Sequence, residues 1–279
     1  MRERDGVRDV GQVERQRQLA GQLARQVGEL ALALDLADIA DAITLPHFRS
    51  SSLRVEHKAD DTEVTVADRS SEAAIRARLT AERPAHAVLG EEEGLIGPPG
   101  ATARWIIDPI DGTSNYVRGI PIWATLIALE IDGDLVLGVA SAPALGRRWW
   151  AAKGLGAFAD GERIRVSAVT ELADAHLAYS DVGSFYEHGG GDGLVALSRR
   201  VWRARGLGDF WMHVLVAEGG FDVAVEPVVS LWDLAAVQVI VEEAGGRFTS
   251  LDGVARADAG SACSTNGLLH EEVLRALSG

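Results

Sequence analysis

The run Trp105-Ile106-Ile107-Asp108-Pro109-Ile110-Asp111-Gly112-Thr113 constrains this chain more than any other stretch. An apolar strand that ends in two carboxylates puts like charges at the edge of a core, where each makes the other harder to ionise. Shared divalent cations relieve that repulsion. Oxygen donors with no His or Cys cluster nearby point to magnesium or manganese over zinc. Gly112 and Thr113 then offer backbone N–H groups to a phosphate. A strand ending in a capped turn would account for any one of these residues alone; the complete run points to metal-assisted phosphate chemistry.

The chain can enclose such a site. Its 279 residues, 47% of them hydrophobic, suffice for one large α/β domain or two closely packed halves. A formal net charge of -14 opposes a nucleic-acid surface, because Lys and Arg would have to track phosphates against a repelling background. The expected partner is small, or bridged by cations, with no nucleic acid and no membrane. A single cysteine, Cys263, excludes an internal disulfide framework and suits a reducing compartment, so the cytoplasm is the expected location. No segment keeps ~18 apolar residues without a charge, which predicts no transmembrane helix. Residues 1–28 are rich in Arg, Gln and Glu, lack the apolar core of a signal peptide, and read as a flexible N-terminal extension.

Leu32, Leu36, Ile39 and Ile43 recur at helical spacing opposite Asp35, Asp38 and Asp41, until Pro46 stops the pattern. Glu63 to Ala67 alternates like a strand and runs into Asp68 and Ser70, which suit a helix start. Ala87 to Leu89 is a short buried run closed by Gly90, and a Gly/Pro-rich loop is expected from Gly94 to Gly100. From Ala124 to Val166 apolar runs alternate with Asp132-Gly133 and Asp160-Gly161, dipeptides suited to tight hairpins, so a meander is expected. After Glu171 strands and helices alternate, with helices expected near Phe210–Glu218, Leu231–Ala244 and His270–Leu277. The division is a 29–170 α+β half carrying most of the acidic residues and a 171–279 α/β half completing the site.

Three further segments join the first: Val64-Thr65-Val66-Ala67-Asp68, Gly90-Glu91-Glu92, and Trp232-Asp233-Leu234-Ala235-Ala236 followed by Glu243-Ala244-Gly245-Gly246. With Asp108 to Thr113 and Tyr116, their order and spacing resemble the inositol monophosphatase superfamily from about Lys58 to Gly246. The resemblance implies an α/β fold, an alternating αβαβα sandwich, with two to three Mg2+ ions per active site, Mn2+ as a substitute, a small phosphorylated metabolite as substrate, and a homodimer. By the same resemblance Glu91, Asp108 and the Ile110 carbonyl hold one ion, and Asp108, Asp111 and Asp233 a second. Glu91 lies near a weaker third. Asp68 and Thr113 are implied to orient and deprotonate the attacking water, Gly112 and Thr113 to cradle the phosphate, and lithium to inhibit. Taken singly, Asp68 reads as a helix cap, Asp233 as a dipole partner and Glu91 as part of a solvated acidic face. Lys58 matches a lysine that the family carries on a mobile loop near the metals, but taken singly it reads as a surface lysine and stays outside the ligand set.

Glu226, seven residues before Asp233, falls where the family places an acidic residue against the non-phosphate end of its substrate, and Asp209 falls where a strand enters a helix by the site. Two carboxylates there favour a leaving group with a positive amine, as in histidinol phosphate. Arg205 is a further candidate for phosphate or substrate. The runs Ala142 to Ala152 and Trp202 to Phe210 resemble the actinobacterial histidinol-phosphate phosphatase branch. Inositol 1-phosphate or another sugar phosphate is the alternative substrate, and a metal-binding regulatory module without turnover is the alternative class. Ser114 departs from the larger residue many relatives carry there, which bears on the rim and removes no ligand.

Overall fold

Asp132 and Asp160 both enter the left-handed region, at φ 53° and 51°, and the glycine after each follows at 87°. That is the backbone of a tight hairpin whose twist matches its strands, and it builds the expected meander. The computed structural model describes residues 4–58 and 62–278, with side chains from residue 26. The first helix, α1 (Arg4–His47), precedes β1 (Val55–His57), β2 (Glu63–Thr65) and α2 (Val66–Glu82). Then come β3 (Ala87–Gly90), β4 (Gly94–Ile96), β5 (Ala103–Asp111) and α3 (Thr113–Val117). The meander is β6 (Ala124–Ile131), β7 (Asp134–Ala142), β8 (Arg147–Ala152), β9 (Gly156–Ala159) and β10 (Glu162–Arg163). The remainder runs β11 (His176–Tyr179), α4 (Val182–Glu187), α5 (Gly191–Ser198), β12 (Arg203–Gly206), α6 (Asp209–Ala217), β13 (Val223–Glu226), α7 (Leu231–Glu243), β14 (Arg247–Thr249), β15 (Ala262–Thr265) and α8 (His270–Ser278).

These elements form five layers. An eight-stranded sheet, ordered β10-β9-β8-β7-β6-β5-β3-β4, is antiparallel except between β3 and β5. A five-stranded sheet, ordered β12-β11-β13-β15-β14, is parallel at β12-β11-β13 and antiparallel beyond. Helices α1 and α2 cover the outer face of the first sheet through Leu36, Ile75, Leu79, Trp105 and Ile127. Helices α6 and α7 lie between the sheets, packing Phe210, Leu234 and Ile240 against Leu126, Trp149 and Phe248. Helices α5 and α8 close the far side on Leu177, Phe185, Leu194 and Val273. The order is helix, sheet, helix, sheet, helix, the αβαβα sandwich expected.

Several local readings change. In α1 the buried stripe is Leu30, Leu32, Ala33, Leu36, Ala37, Ala40 and Thr44, with Ile39 and Ile43 half-buried at its margin. Asp41 turns inward to accept from Arg148 at 2.6 Å and Ser141 at 2.8 Å. The helix starts well ahead of Leu32. Residues 1–3 and the side chains of residues 4–25 lie outside the described residues; the backbone of 4–28, expected as a flexible extension, belongs to α1, which runs through the expected boundary at 28/29. The strand-to-helix junction sits at Thr65, so Asp68 is one turn inside α2. Part of the expected loop after Gly94 pairs as β4, because Leu95 and Ile96 find partners in Leu89 and Val88. Trp149 is fully buried, while Trp150 stacks on Phe158 at the half-buried outer face.

The middle helix layer approaches the first sheet closely at Gly138. A Cβ built there would lie 2.3 Å from the backbone oxygen of Ala236 in α7. Neither backbone can yield without moving a whole layer, so Gly138→Ala is expected to destabilise by about 1–3 kcal/mol, read as a lower urea midpoint at unchanged slope. A wild-type midpoint would show that the layers slide freely.

Candidate active site

On a regular strand, residues three apart point to opposite faces. Asp108 and Asp111 do not, because the register of β5 against β6 shifts between them: Asp108 pairs with Leu126 and Asp111 with Ala124. Three steps on β5 oppose two on β6, so the extra residue returns both carboxylates to one side. Pro109 has no N–H to lose at such a bulge, and its carbonyl accepts from Thr125 Oγ1 at 2.8 Å. Asp233 arrives from the first turn of α7. One carboxylate oxygen from each of Asp108, Asp111 and Asp233 lies within 4.8 Å of the others.

Backbone N–H groups aim these carboxylates. Asp108 Oδ1 accepts from Ile110 at 2.9 Å, Asp111 Oδ2 from Phe210 at 2.6 Å, and Asp233 Oδ2 from Ser230 at 2.8 Å. Asp68 follows the same rule, since its Oδ2 accepts from the Thr65 amide at 2.9 Å and the Thr65 hydroxyl at 2.6 Å. The helix-cap reading of Asp68 and the dipole-partner reading of Asp233 each account for one oxygen, and leave Asp68 Oδ1 for Thr113 and the other oxygen of Asp233 for the cleft. Asp68 Oδ1 lies 3.3 Å from Thr113 Oγ1, which also donates to the Ile110 carbonyl at 2.8 Å.

Crowding shows in the titration of the cluster. Burial raises Asp108 well above the usual carboxylate range, helped by Glu91, Asp111 and Asp233. Burial, then Asp209 and Asp233, does the same to Asp111. Burial pushes Asp233 up to about 7. Burial also raises Asp68, against the bonds from Thr65. Buried carboxylates that repel one another need either protons or cations. The donor set fits a hard divalent cation: three carboxylate oxygens, with no nitrogen or sulfur in the cluster.

Glu91 lies on the same cleft outside the tight trio. It meets Lys58, whose Nζ is 2.7 Å from both Glu91 Oε1 and Glu92 Oε1. Burial works against the Lys58 charge, yet bonds to Glu91 and Glu92 hold its pKa above the usual lysine value. Lys58 is thus a member of the acidic site, correcting the surface-lysine reading; the acidic turn it meets lies 33 residues away in sequence. Glu72 was missed as well. Fully buried in α2, it pairs with Arg76 at 2.7 Å and accepts from the amides of Glu92 at 2.9 Å and Glu93 at 3.0 Å. It anchors the backbone turn that presents Glu91. Its spacing after Asp68 reads only as the next turn of a helix.

The cleft is about 580 Å³ and is lined by Glu91, Asp108, Ile110, Asp111, Gly112, Thr113, Ser114, Asp209, Glu226 and Asp233, among others. Gly112, at φ 81°, caps α3, and a Cβ there would meet Asp209 Oδ2 and the Ile122 carbonyl, each at 3.1 Å. Asp209 itself holds a left-handed φ of 53° and accepts from Asn115 Nδ2 at 2.9 Å. Burial, then Glu226, pushes Asp209 up to about 7, and burial pushes Glu226 up to about 8. Arg205 is not brought to the cleft. It stands exposed on β12, the outer edge of the second sheet, donating to the Ala204 carbonyl at 3.0 Å. The edge strand carries it off the wall that Asp209 joins, four residues later.

The inositol monophosphatase family profile matches residues 28–279. A histidinol-phosphatase of Mycobacterium tuberculosis (strain ATCC 25618 / H37Rv) is 53% identical over 256 residues, covering 90% of this chain and 98% of the relative. One from Streptomyces coelicolor (strain ATCC BAA-471 / A3(2) / M145) is 50% identical over 255 residues, covering 88% and 95%. Among solved structures, a Thermotoga maritima IMPase superposes with a TM-score of 0.81 at 32% identity, covering 90% of this chain and 97% of that one.

Two outcomes are expected of the site. Glu72→Gln should weaken magnesium binding about tenfold by calorimetry, because an amide cannot accept both N–H groups and the Arg76 pair; unchanged binding would show that the Glu91 turn holds itself. In metal-free protein the carboxyls at Asp209, Glu226 and Asp233 have folded pKa values above their unfolded ones. Their contribution is present below about pH 4 and is lost as pH rises through 7 to 8. The melting temperature should therefore fall across that window, and magnesium should flatten the fall. A metal-free profile that is flat there would contradict the crowding.

Proposed function

This chain belongs to the inositol monophosphatase family, and on that premise we propose that it hydrolyses histidinol phosphate to histidinol and inorganic phosphate, with magnesium. The observation that carries the reading is one cleft lined both by Asp108, Asp111 and Asp233, within 4.8 Å of one another, and by a second carboxylate pair, Asp209 and Glu226. The trio suits cations and, through them, a phosphate. The pair suits the amine of the leaving group, since an ammonium gains from two carboxylates what a neutral polyol does not. The identity to two actinobacterial histidinol-phosphatases, at 53% and 50%, supports the same substrate.

Asp108, Asp111 and Asp233 are the residues that would hold one ion, and Glu91 with Asp108 and the Ile110 carbonyl a second. Bound there, Mg2+, or Mn2+ in its place, supplies neutralisation of phosphoryl charge and Lewis-acid polarisation. A third ion would lie by Glu91, where Lys58 already supplies positive charge. Thr113 Oγ1, between Asp68 Oδ1 and the Ile110 carbonyl, orients a water and passes its proton toward Asp68. The amides of Gly112 and Thr113 bind phosphate oxygens. In the balanced reaction the water oxygen bonds to phosphorus, the ester P–O bond breaks, and the leaving alkoxide takes up one proton. No phosphoenzyme is needed. Lithium inhibition, a homodimer and a cytoplasmic location complete the reading. Among the described residues no helix is long and apolar enough to cross a membrane.

The test is phosphate release from histidinol phosphate and inositol 1-phosphate side by side, with and without magnesium. The expected outcome is magnesium-dependent release with a preference for histidinol phosphate. Asp233→Asn should lower kcat by roughly 100-fold or more, and Glu226→Gln should erode the preference. A preference for the inositol ester would keep the chemistry and reject the amine reading. No release from either, with metal bound, would favour a regulatory metal-binding module.

A further inference from the structure

His213 lines the same cleft and has no part in the reading above. Its side chain is 1% exposed, and its Nδ1 lies 2.7 Å from Ser264 Oγ on β15. Its Nε2 is buried and has no hydrogen-bond partner among the described residues. The nearest acidic atom is Glu226 Oε2 at 3.6 Å, just outside hydrogen-bond reach. A buried ring nitrogen left unpaired is costly, and a small rotation of the Glu226 side chain would pair it.

We propose that His213 is a positioning residue for the amine end of the substrate: its Nε2 takes up Glu226 Oε2 and so turns the remaining acceptor positions of Glu226 toward the amine. The proposal rests on reading Glu226 as the group that faces that amine. Burial keeps His213 neutral, with its pKa pushed down to about 4, so it adds no positive charge to compete with an ammonium. An Arg or Lys here would hold Glu226 equally well and cancel the attraction it offers. The hydroxyl behind the ring lets it serve either form of Glu226. When Glu226 is an acid, its O–H donates to Nε2 and Nδ1–H donates to Ser264. When Glu226 is ionised, Nε2–H donates to it and the Ser264 hydroxyl donates to Nδ1. Ser180 also bonds Glu226, and a carboxylate has about four acceptor positions, so both holds leave room for the amine.

The experiment compares KM and kcat of magnesium-loaded wild type, His213→Phe, His213→Gln, Glu226→Gln and the His213→Phe/Glu226→Gln double variant on histidinol phosphate and inositol 1-phosphate. For His213→Phe, KM for histidinol phosphate is expected to rise about tenfold with kcat falling less than about threefold, and KM for the inositol ester to move far less. His213→Gln, whose amide reaches the place of Nε2, should recover most of the loss. The double variant should be no worse than Glu226→Gln alone, as for a residue acting through its neighbour. Equal rises on both esters, or fully additive losses in the double variant, would overturn the proposal. If His213→Phe does not fold, His213→Leu takes its place in the cycle. If wild type shows no preference for histidinol phosphate, the amine reading fails by itself, and His213 is judged by imidazole ¹⁵N NMR of metal-free protein. Resonances of Nε2 that shift on Glu226→Gln support the pairing; resonances that stay put reject it.

Discussion

Repulsion among Asp108, Asp111 and Asp233 is the constraint on which the site depends. Their oxygens stand within 4.8 Å in an interior that cannot hydrate them, and the rest of the site can be understood as what keeps them there. Free side chains would rotate apart. These cannot, because each has one oxygen committed to a backbone N–H, from Ile110, Phe210 and Ser230. The backbone bonds are worth more for aim than for energy: they cost the metal-free protein stability by holding like charges together, and a cation recovers it. Folding alone thus prepares an arrangement that is complete only with its ion.

The same bonds tie the layers together. Asp111 belongs to the first sheet, while the amide it accepts from belongs to α6, in the layer between the sheets. Asp233 reaches the cluster because α7 packs on β7 closely enough that Gly138 can have no side chain. The cleft is therefore a property of the sandwich as a whole, and a change in layer spacing would be felt as a change in carboxylate geometry. A short segment with the right motif could not do this.

Much of the fold was legible because it follows from local rules. Asp-Gly dipeptides between alternating apolar runs made the hairpins, and helical spacing marked α6, α7 and α8. The acidic residues were legible because they recur in four ordered segments. What escaped was long-range. Lys58 and Glu72 look like ordinary polar residues on the line, and become site residues only when the turn at Glu91 folds onto them. His213 sits in an apolar helix with no motif around it, and its Nε2 comes beside Glu226 only when α6 packs on β13. Arg205 was placed near the site by its nearness in sequence to Asp209, but the intervening Leu207-Gly208 turn sends the edge strand elsewhere.

The sequence by itself determined the chemistry on offer: hard oxygen donors, a strand ending in two aspartates, a Thr and a Gly beside them, and motifs whose family resemblance implied an αβαβα sandwich to enclose them. Only the tertiary structure decided which oxygens face one another. The spacing of Asp108 and Asp111 would by strand geometry put them on opposite faces, and it is the bulge against β6, a pairing between two strands, that reverses this. Residue type fixes what a side chain can donate or accept, but direction is set by the backbone it hangs from and by the neighbours that bind its other atom, and those are known only once the layers have packed.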